Sequence, residues 1–576
     1  MDSETFSAAP SGAKAKRLGA YYTPEPVVEF MIRWAIQDAH YKIIDPSFGN
    51  GQFLRASARQ TKVKLLNPSE QIYGIELDSD TFNANKPLLE SQFKIHKLEN
   101  QDFFAADSFF LSEFNKVSPL EEFEAVVGNP PFIRYQRFKG KARELALKRA
   151  AEHGISLPGH ASSWAPFLIH AISLIKNGGR IAMIIPVELS YATYAKDILA
   201  YLLDQFKNLS LLSFQKRLFP KLAEDTYILL GENRGLPCSK FQLVDVQNEE
   251  RLSHFDGQLD SVGEVKTLNR EACSNLKSHK VKLLEFSLNR ACRNLYQSFR
   301  ERAQTADFSV TFLGEVMDIG IGYVSGDNAF FHPDQATIEA FGIEQEFLTP
   351  CLRRSNNLRG LYYSKEDWEN SLEPQKWLLH IDQTLDIHAL PKGLRKYLNW
   401  GLKSGILKRY KVKKRSPWYA LSNIKIGDAF LTYMSHDAPR LVQNVSGLPA
   451  PNTLHVASLK KSGQDALDCK LLLIAWYTSL CFLSSEIEGH SLGAGMLKLE
   501  PNEARNIIVV IPRHLSQEEI EDTYSRIDVA LRKNNLELAL NLGDESILCH
   551  GLGLSQETCL TLREAYYKLR DRRKYR

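Results

Sequence analysis

Short apolar runs alternating with helical segments fill the first 235 residues, and they restrict the fold more than any other feature of the chain. The runs are Ile43-Ile44, Ile72–Leu77, Phe123–Gly128, Ile181–Ile185, Leu209–Phe214 and Thr226–Leu230. Each is short enough for a buried strand and is bounded by turn residues. Between them lie helical patterns. Thr23 is a good N-cap and Pro24 a good first helical residue for a segment in which Val27, Met31 and Trp34 recur at helical spacing. Further helices are expected over residues 164–175, ended by Asn177-Gly178-Gly179, and over 194–206. Strands alternating with helices across residues 20–235 specify an α/β fold: a Rossmann-like, doubly wound, mostly parallel sheet. In such sheets ligands bind beyond the carboxyl ends of the strands, so the residues there are the candidate site.

Four strand ends carry polar residues. Ile43-Ile44 enters Asp45-Pro46-Ser47-Phe48-Gly49-Asn50-Gly51, where Gly49 and Gly51 let the backbone approach a ligand and a helix follows with unsatisfied N–H groups. The next run ends at Glu76, placed to accept both hydroxyls of a ribose; taken in isolation, a solvated strand end is the plainer reading. Asp102 and Phe103 stand where a third strand should finish, suited to an adenine amine and ring, or to an ordinary core Phe pair beside an exposed acid. The fourth end is Asn129-Pro130-Pro131-Phe132. Its prolines fix two φ angles and remove two N–H donors, leaving a stiff cluster of acceptors next to an aromatic ring. Acceptors at Asn129 and Pro130 would draw the lone pair of a planar exocyclic amine towards an electrophile. A turn that only breaks a strand is the plainer reading.

Composition excludes several classes. The chain has 576 residues, 44% hydrophobic and 24% charged, which describes ordinary globular domains, two or more of them. A net charge of +4 is too small to argue for nucleic acid, so the distribution of charge matters more than its total. No apolar run is long enough for a membrane span and the N-terminus lacks a signal peptide's apolar core, so a cytoplasmic protein with no membrane partner is expected. Eight scattered cysteines without a C-x-x-C suggest neither a metal site nor a disulfide framework.

Taken in order, Tyr22-Thr23-Pro24, Asp45-Pro46-x-x-Gly49-x-Gly51-x-Phe53, Gly74-Ile75-Glu76-x-Asp78, Asp102-Phe103 and Asn129-Pro130-Pro131-Phe132 resemble the γ group of N6-adenine DNA methyltransferases, the TaqI-like modification enzymes of restriction-modification systems. The resemblance implies S-adenosylmethionine as cofactor, bound by Thr23, Asp45, Pro46, Ser47, Gly49, Gly51, Glu76, Asp102, Phe103 and Pro131. It implies catalysis at residues 129–132, with Phe132 and Phe219 stacking on an adenine flipped out of double-stranded DNA. Phe48 departs from the family's usual small residue. The later half resembles a target-recognition domain of mixed α+β structure. Its glycine-rich opening at 320–331 supplies Ser325 and Asn328, and a basic run supplies Lys408, Arg409, Lys411, Lys413, Lys414, Arg415 and, just after it, Trp418 as DNA contacts. A solvated charged face remains the other reading of that run. A third segment, Gly493–Pro501, also looks familiar there.

These readings divide the chain into a disordered segment 1–18, a catalytic domain 19–240, a connecting segment 241–305, a recognition domain 306–545 and a basic C-terminal segment 546–576. The Lys/Arg-rich stretch 134–149 is read as a loop near phosphates, or as a charged face. The expected activity is sequence-specific adenine methylation by a monomer that protects DNA from a separate cognate restriction endonuclease. Methylation of RNA or of a protein glutamine is the competing activity. A combined restriction-modification enzyme is the weaker third reading, resting on Asp256 with Glu264-x-Lys266 in the connecting segment.

Overall fold

The computed structural model describes residues 23–60, 65–108, 123–219, 225–305, 309–374, 376–422, 424–460, 467–492 and 495–574. The expected disordered segment 1–18 lies outside them. The chain divides into two compact units, Met1–Glu285 with Tyr575–Arg576, and Phe286–Lys574.

The first unit is built on a nine-stranded sheet of order β3-β2-β1-β4-β5-β7-β6-β8-β9. Its strands are β1 Ile43–Asp45, β2 Ile72–Glu76, β3 Lys97–Asn100, β4 Phe123–Gly128, β5 Ile175–Pro186, β6 Phe206–Phe214, β7 Thr226–Arg234, β8 Lys240–Val246 and β9 Glu264–Leu268. From β3 to β5 all pairings are parallel, and β7 runs antiparallel to both β5 and β6. Helices α1 Glu25–Ala35, α2 Gln52–Arg59, α3 Ser79–Phe93, α4 Lys141–Glu152, α5 Trp164–Ser173 and α6 Ala195–Gln205 accompany these strands. β1, β4 apart from Glu124, and the end of β5 are buried, which is why they read as apolar runs.

Three expectations are corrected here. The first part of the segment 241–305 belongs to the sheet of the first unit: β8 pairs in parallel with β6 and β9 antiparallel with β8, and the passage from the first unit to the second falls later, at Glu285 and Phe286. β9 is the edge strand and β8 its neighbour; both are partly exposed and of mixed polarity, so they lack the apolar signal of the central ones. The same strands dispose of the supposed connecting loop around Glu264 and Lys266, which are β9 residues. The basic stretch 134–149 is largely α4, in which Arg149 is buried, donating to the Phe104 carbonyl at 3.1 Å and pairing with Glu152 at 2.8 Å.

The second unit contains a five-stranded sheet, ordered Met317–Ile321, Leu454–Leu459, Ala429–Thr432, Leu441–Asn444 and Tyr362–Tyr363. A helical group completes it, including Cys469–Trp476, Ser479–Glu488, Gln517–Arg532 and Gln556–Lys574. Among the described residues no single helix is long and apolar enough to cross a membrane; the apolar pair Cys469–Trp476 and Ser479–Glu488 is bent by 72° and mostly buried.

The C-terminal segment, as far as Lys574, is tied into the second unit. Arg573 forms a two-pronged buried pair with Glu486, at 2.7 and 3.0 Å, and Arg563 donates to Asp544 at 2.6 Å while Asp544 also accepts from the Ser479 N–H. Arg563, Arg573 and Lys574 are paired with the upstream acids Asp544, Glu486 and Asp437, a pairing that composition cannot reveal. Removing one member strands a buried charge, so Arg573→Ala is predicted to lower unfolding free energy by about 3 kcal/mol in chemical denaturation. A loss of about 0.5 kcal/mol or less would mark a surface residue instead.

Candidate functional site

The carboxyl ends of β1, β2, β3 and β4 open onto a cavity of about 320 Å³ in the first unit. Thr23, Asp45, Pro46, Ser47, Gly49, Glu76, Asp102, Phe103, Asn129 and Pro131 all line it. Of the residues expected to hold a cofactor, only Gly51 stands back from the lining. It serves the wall instead: at φ +76° it starts α2, and a Cβ there would lie 2.9 Å from a methyl carbon of Leu89.

The acids are fixed by backbone donors. Asp45, 1% exposed, accepts from the Ser47 N–H at 3.0 Å. Glu76 accepts from Gly49 N–H at 2.9 Å with one oxygen and from Asp78 N–H at 2.8 Å with the other, tying the glycine turn to the end of β2. Asp102 accepts from Phe104 N–H at 3.0 Å. Phe103 is buried against Phe167 and His170, ring centroids 4.6 Å away in each case, with Phe104 also nearby. Phe48, the departure from the family pattern, is buried and packs towards Phe82 at 6.0 Å, filling the space above Gly74.

The Asn-Pro-Pro-Phe turn leaves β4 beside Asp45. A Cβ on Gly128 would stand 2.9 Å from Asp45 Oδ1, so the close approach of the two strand ends requires glycine. Asn129 Nδ2 donates to Thr23 Oγ1 at 3.2 Å. Thr23 therefore does not cap α1, whose N-cap is Pro24 without a side-chain bond. The expected capping hydroxyl is used on the turn. Phe132 is half-buried and Phe219 buried, both against the same hydrophobic cluster. Residues 220–224, which follow Phe219, lie outside the described residues.

Ser163 carries no motif in the sequence, yet it grips this turn. Its Oγ donates to the Pro131 carbonyl at 2.5 Å and accepts from Ile133 N–H at 2.8 Å, while its own N–H donates to the Ile133 carbonyl at 3.0 Å. No local signal could have found it, because the contact spans some thirty residues.

In the second unit, the glycine-rich segment and the basic run meet. Arg409 Nε donates to Asp327 at 2.8 Å, and Arg415 donates to the carbonyls of Val324 and Ser325 at 2.6 and 2.8 Å. Ser325 is buried and donates to Asn328 Oδ1 at 2.6 Å; Trp418 is half-buried near Phe330. Ser325 is thus buried and Arg415 is engaged by the glycine-rich segment, while Arg415 and Trp418 remain partly exposed. Lys408, Lys411, Lys413 and Lys414 are exposed. Of the third segment, Glu500 forms a capping box with Glu503 on the helix Pro501–Arg505, and Gly495 accepts from Arg573, so both hold the local fold.

A sheet of this order with a cavity over the ends of β1 to β4 defines a class I, Rossmann-like methyltransferase domain. Residues 5–262 match the family N-6 DNA Methylase, and residues 280–548 match the C-terminal domain of Type II methyltransferase M.Eco57I. The chain belongs to the N6-adenine DNA methyltransferases of restriction-modification systems. It is 22% identical over 494 residues to Type II methyltransferase M.AccI of Acinetobacter calcoaceticus, covering 85% of this chain and 84% of that one. It is also 22% identical over 510 residues to M.XamI of Xanthomonas campestris pv. amaranthicola, covering 86% of each. The fold of the Type IIL restriction-modification enzyme MmeI, solved in complex with DNA, superposes with a TM-score of 0.56 at 12% identity, over 97% of this chain and 80% of that one.

Burial pushes the Asp45 carboxyl up to about 8, opposed by the Ser47 N–H and reinforced by Glu76; burial also raises Glu76 and Asp102. Between the ordinary value of 3.8 and about 8, the folded chain keeps a proton at Asp45 that the unfolded chain releases. The folded state then binds more protons, so this group's contribution to stability falls as pH rises through that window. Asp45→Asn, which cannot ionise, is predicted to gain in melting temperature relative to the native chain between about pH 5 and about pH 8. A constant difference across that range would contradict the assignment.

Proposed function

We propose that Asn129-Pro130-Pro131-Phe132 receives an adenine flipped out of double-stranded DNA, and that the cavity beside it holds S-adenosylmethionine. The observation carrying this reading is the orientation of Asn129. With Nδ2 held by Thr23, Oδ1 is the end of the amide that can accept from a ligand. Oδ1 and the Pro130 carbonyl accept from the two N–H bonds of the adenine amine, which localises its lone pair and points it at the methyl donor. Phe132 stacks on the base, and Phe219 is assigned as the second aromatic contact.

The residues fit the cofactor's chemistry. Asp45 is a buried acid that gains a counter-ion when an ammonium group enters. The Glu76 carboxylate, each oxygen already fixed by one N–H, retains lone pairs for ribose hydroxyls. Asp102 and Phe103 are assigned to the adenine of the cofactor, with Pro46, Ser47, Gly49 and Pro131 shaping the rest of the cavity. When bound, S-adenosylmethionine supplies the electrophilic methyl group. The methylated amine then sheds its extra proton without a dedicated strong base.

The second unit is assigned to target recognition. Lys408, Lys411, Lys413 and Lys414 meet phosphates, whereas Arg409 and Arg415 hold the glycine-rich loop in place and Asn328 stands at its end. We assign the chain to the cytoplasm, acting as a monomer alongside a separate restriction endonuclease, with its motifs in the γ order.

Asn129→Ala is predicted to cut transfer of labelled methyl to duplex DNA by at least about a hundredfold while binding S-adenosylhomocysteine comparably in calorimetry. Undiminished transfer would reject the mechanism. Replacing Lys411, Lys413 and Lys414 together by alanine should flatten the plot of log affinity against log salt by about 0.9 for each phosphate that is no longer neutralised. An unchanged slope would place the DNA elsewhere.

A further inference from the structure

We infer that Ser163 is a positioning residue that presets the direction of Phe132, an inference resting on the assignment of Phe132 as the ring against the extruded adenine. The prolines settle φ at positions 130 and 131 but leave the peptide planes on either side of Phe132 to be fixed by other means. One plane ends in the Pro131 carbonyl and the other carries the Ile133 N–H. A single oxygen, Ser163 Oγ, holds both, at 2.5 and 2.8 Å, and the Ser163 backbone N–H takes the Ile133 carbonyl at 3.0 Å. Rotation of Phe132 about either backbone bond would break one of these hydrogen bonds.

The position of Ser163 in the fold makes the use of its hydroxyl informative. It is the N-cap residue of α5, where serine ordinarily accepts from the first turn of its own helix. Here it makes no side-chain cap bond. The next residue, Trp164, donates from Nε1 to Glu188 at 2.7 Å. Ser163 is 2% exposed, so water does not compete for the same groups. Its hydroxyl is therefore committed to the turn, and alanine removes that grip without removing a helix cap.

Ser163→Ala is expected to slow single-turnover methylation of duplex DNA about ten- to a hundredfold, while affinity for S-adenosylhomocysteine changes far less than the rate. In a Phe132→Ala background the same change should add nothing, because the ring that the hydroxyl directs is gone. A Ser163→Ala rate equal to that of the native chain would overturn the inference, as would an equal slowing in both backgrounds. Loss of cooperative melting in Ser163→Ala would overturn it too, since the hydroxyl would then be holding the fold and not the ring. Failure of the native chain itself to methylate adenine rejects the functional reading; a native rate in the variant of an active enzyme rejects this inference alone.

Discussion

The catalytic end of this protein depends on the grip exerted on a four-residue turn. Two prolines give Asn129-Pro130-Pro131-Phe132 a stiff backbone, but stiffness does not set direction. Direction comes from two hydroxyls brought in by helices on either side in sequence: Thr23, just before α1, fixes the Asn129 amide, and Ser163, at the start of α5, fixes the planes around Phe132. Neither hydroxyl caps its own helix. Ser163, which does stand at the N-cap position, gives up a local interaction of about 1 kcal/mol to hold a site group.

The sheet explains why these parts meet. β1, β2, β3 and β4 are mutually parallel neighbours, so their carboxyl ends, with Asp45, Glu76, Asp102 and Asn129, arrive on one edge. Gly128 lets the ends of β1 and β4 approach until a Cβ would touch the Asp45 carboxylate. The same crowding takes Asp45 out of water and leaves it reluctant to ionise. A cavity with the buried Asp45, the half-buried Glu76 and Asp102, and the ring of Phe103 is matched to a ligand that carries both a cation and a flat ring.

Most of the first unit was legible in the sequence because strands buried on both faces are continuous apolar runs, and because site residues cluster where those runs end. Pairings across long separations were not. Ser163 looks like any helix-capping serine, and β8 and β9 look like a polar connector since strands at and next to the sheet edge are only partly buried. In the second unit, counting basic residues could not separate Arg409, Arg415, Arg563 and Arg573, which are engaged by the protein itself, from the exposed lysines at 408, 411, 413 and 414. Charge composition records the sign of a side chain and not its partner.

The central claim is that the gripped turn acts on adenine N6 within a defined DNA sequence. Expression of the native chain in a host free of adenine methylation, followed by single-molecule sequencing of the host DNA, tests it most directly. The account predicts N6-methyladenine at one recurring motif, lost in the Asn129→Ala strain. An unmodified genome, or modification that persists without Asn129, would contradict it.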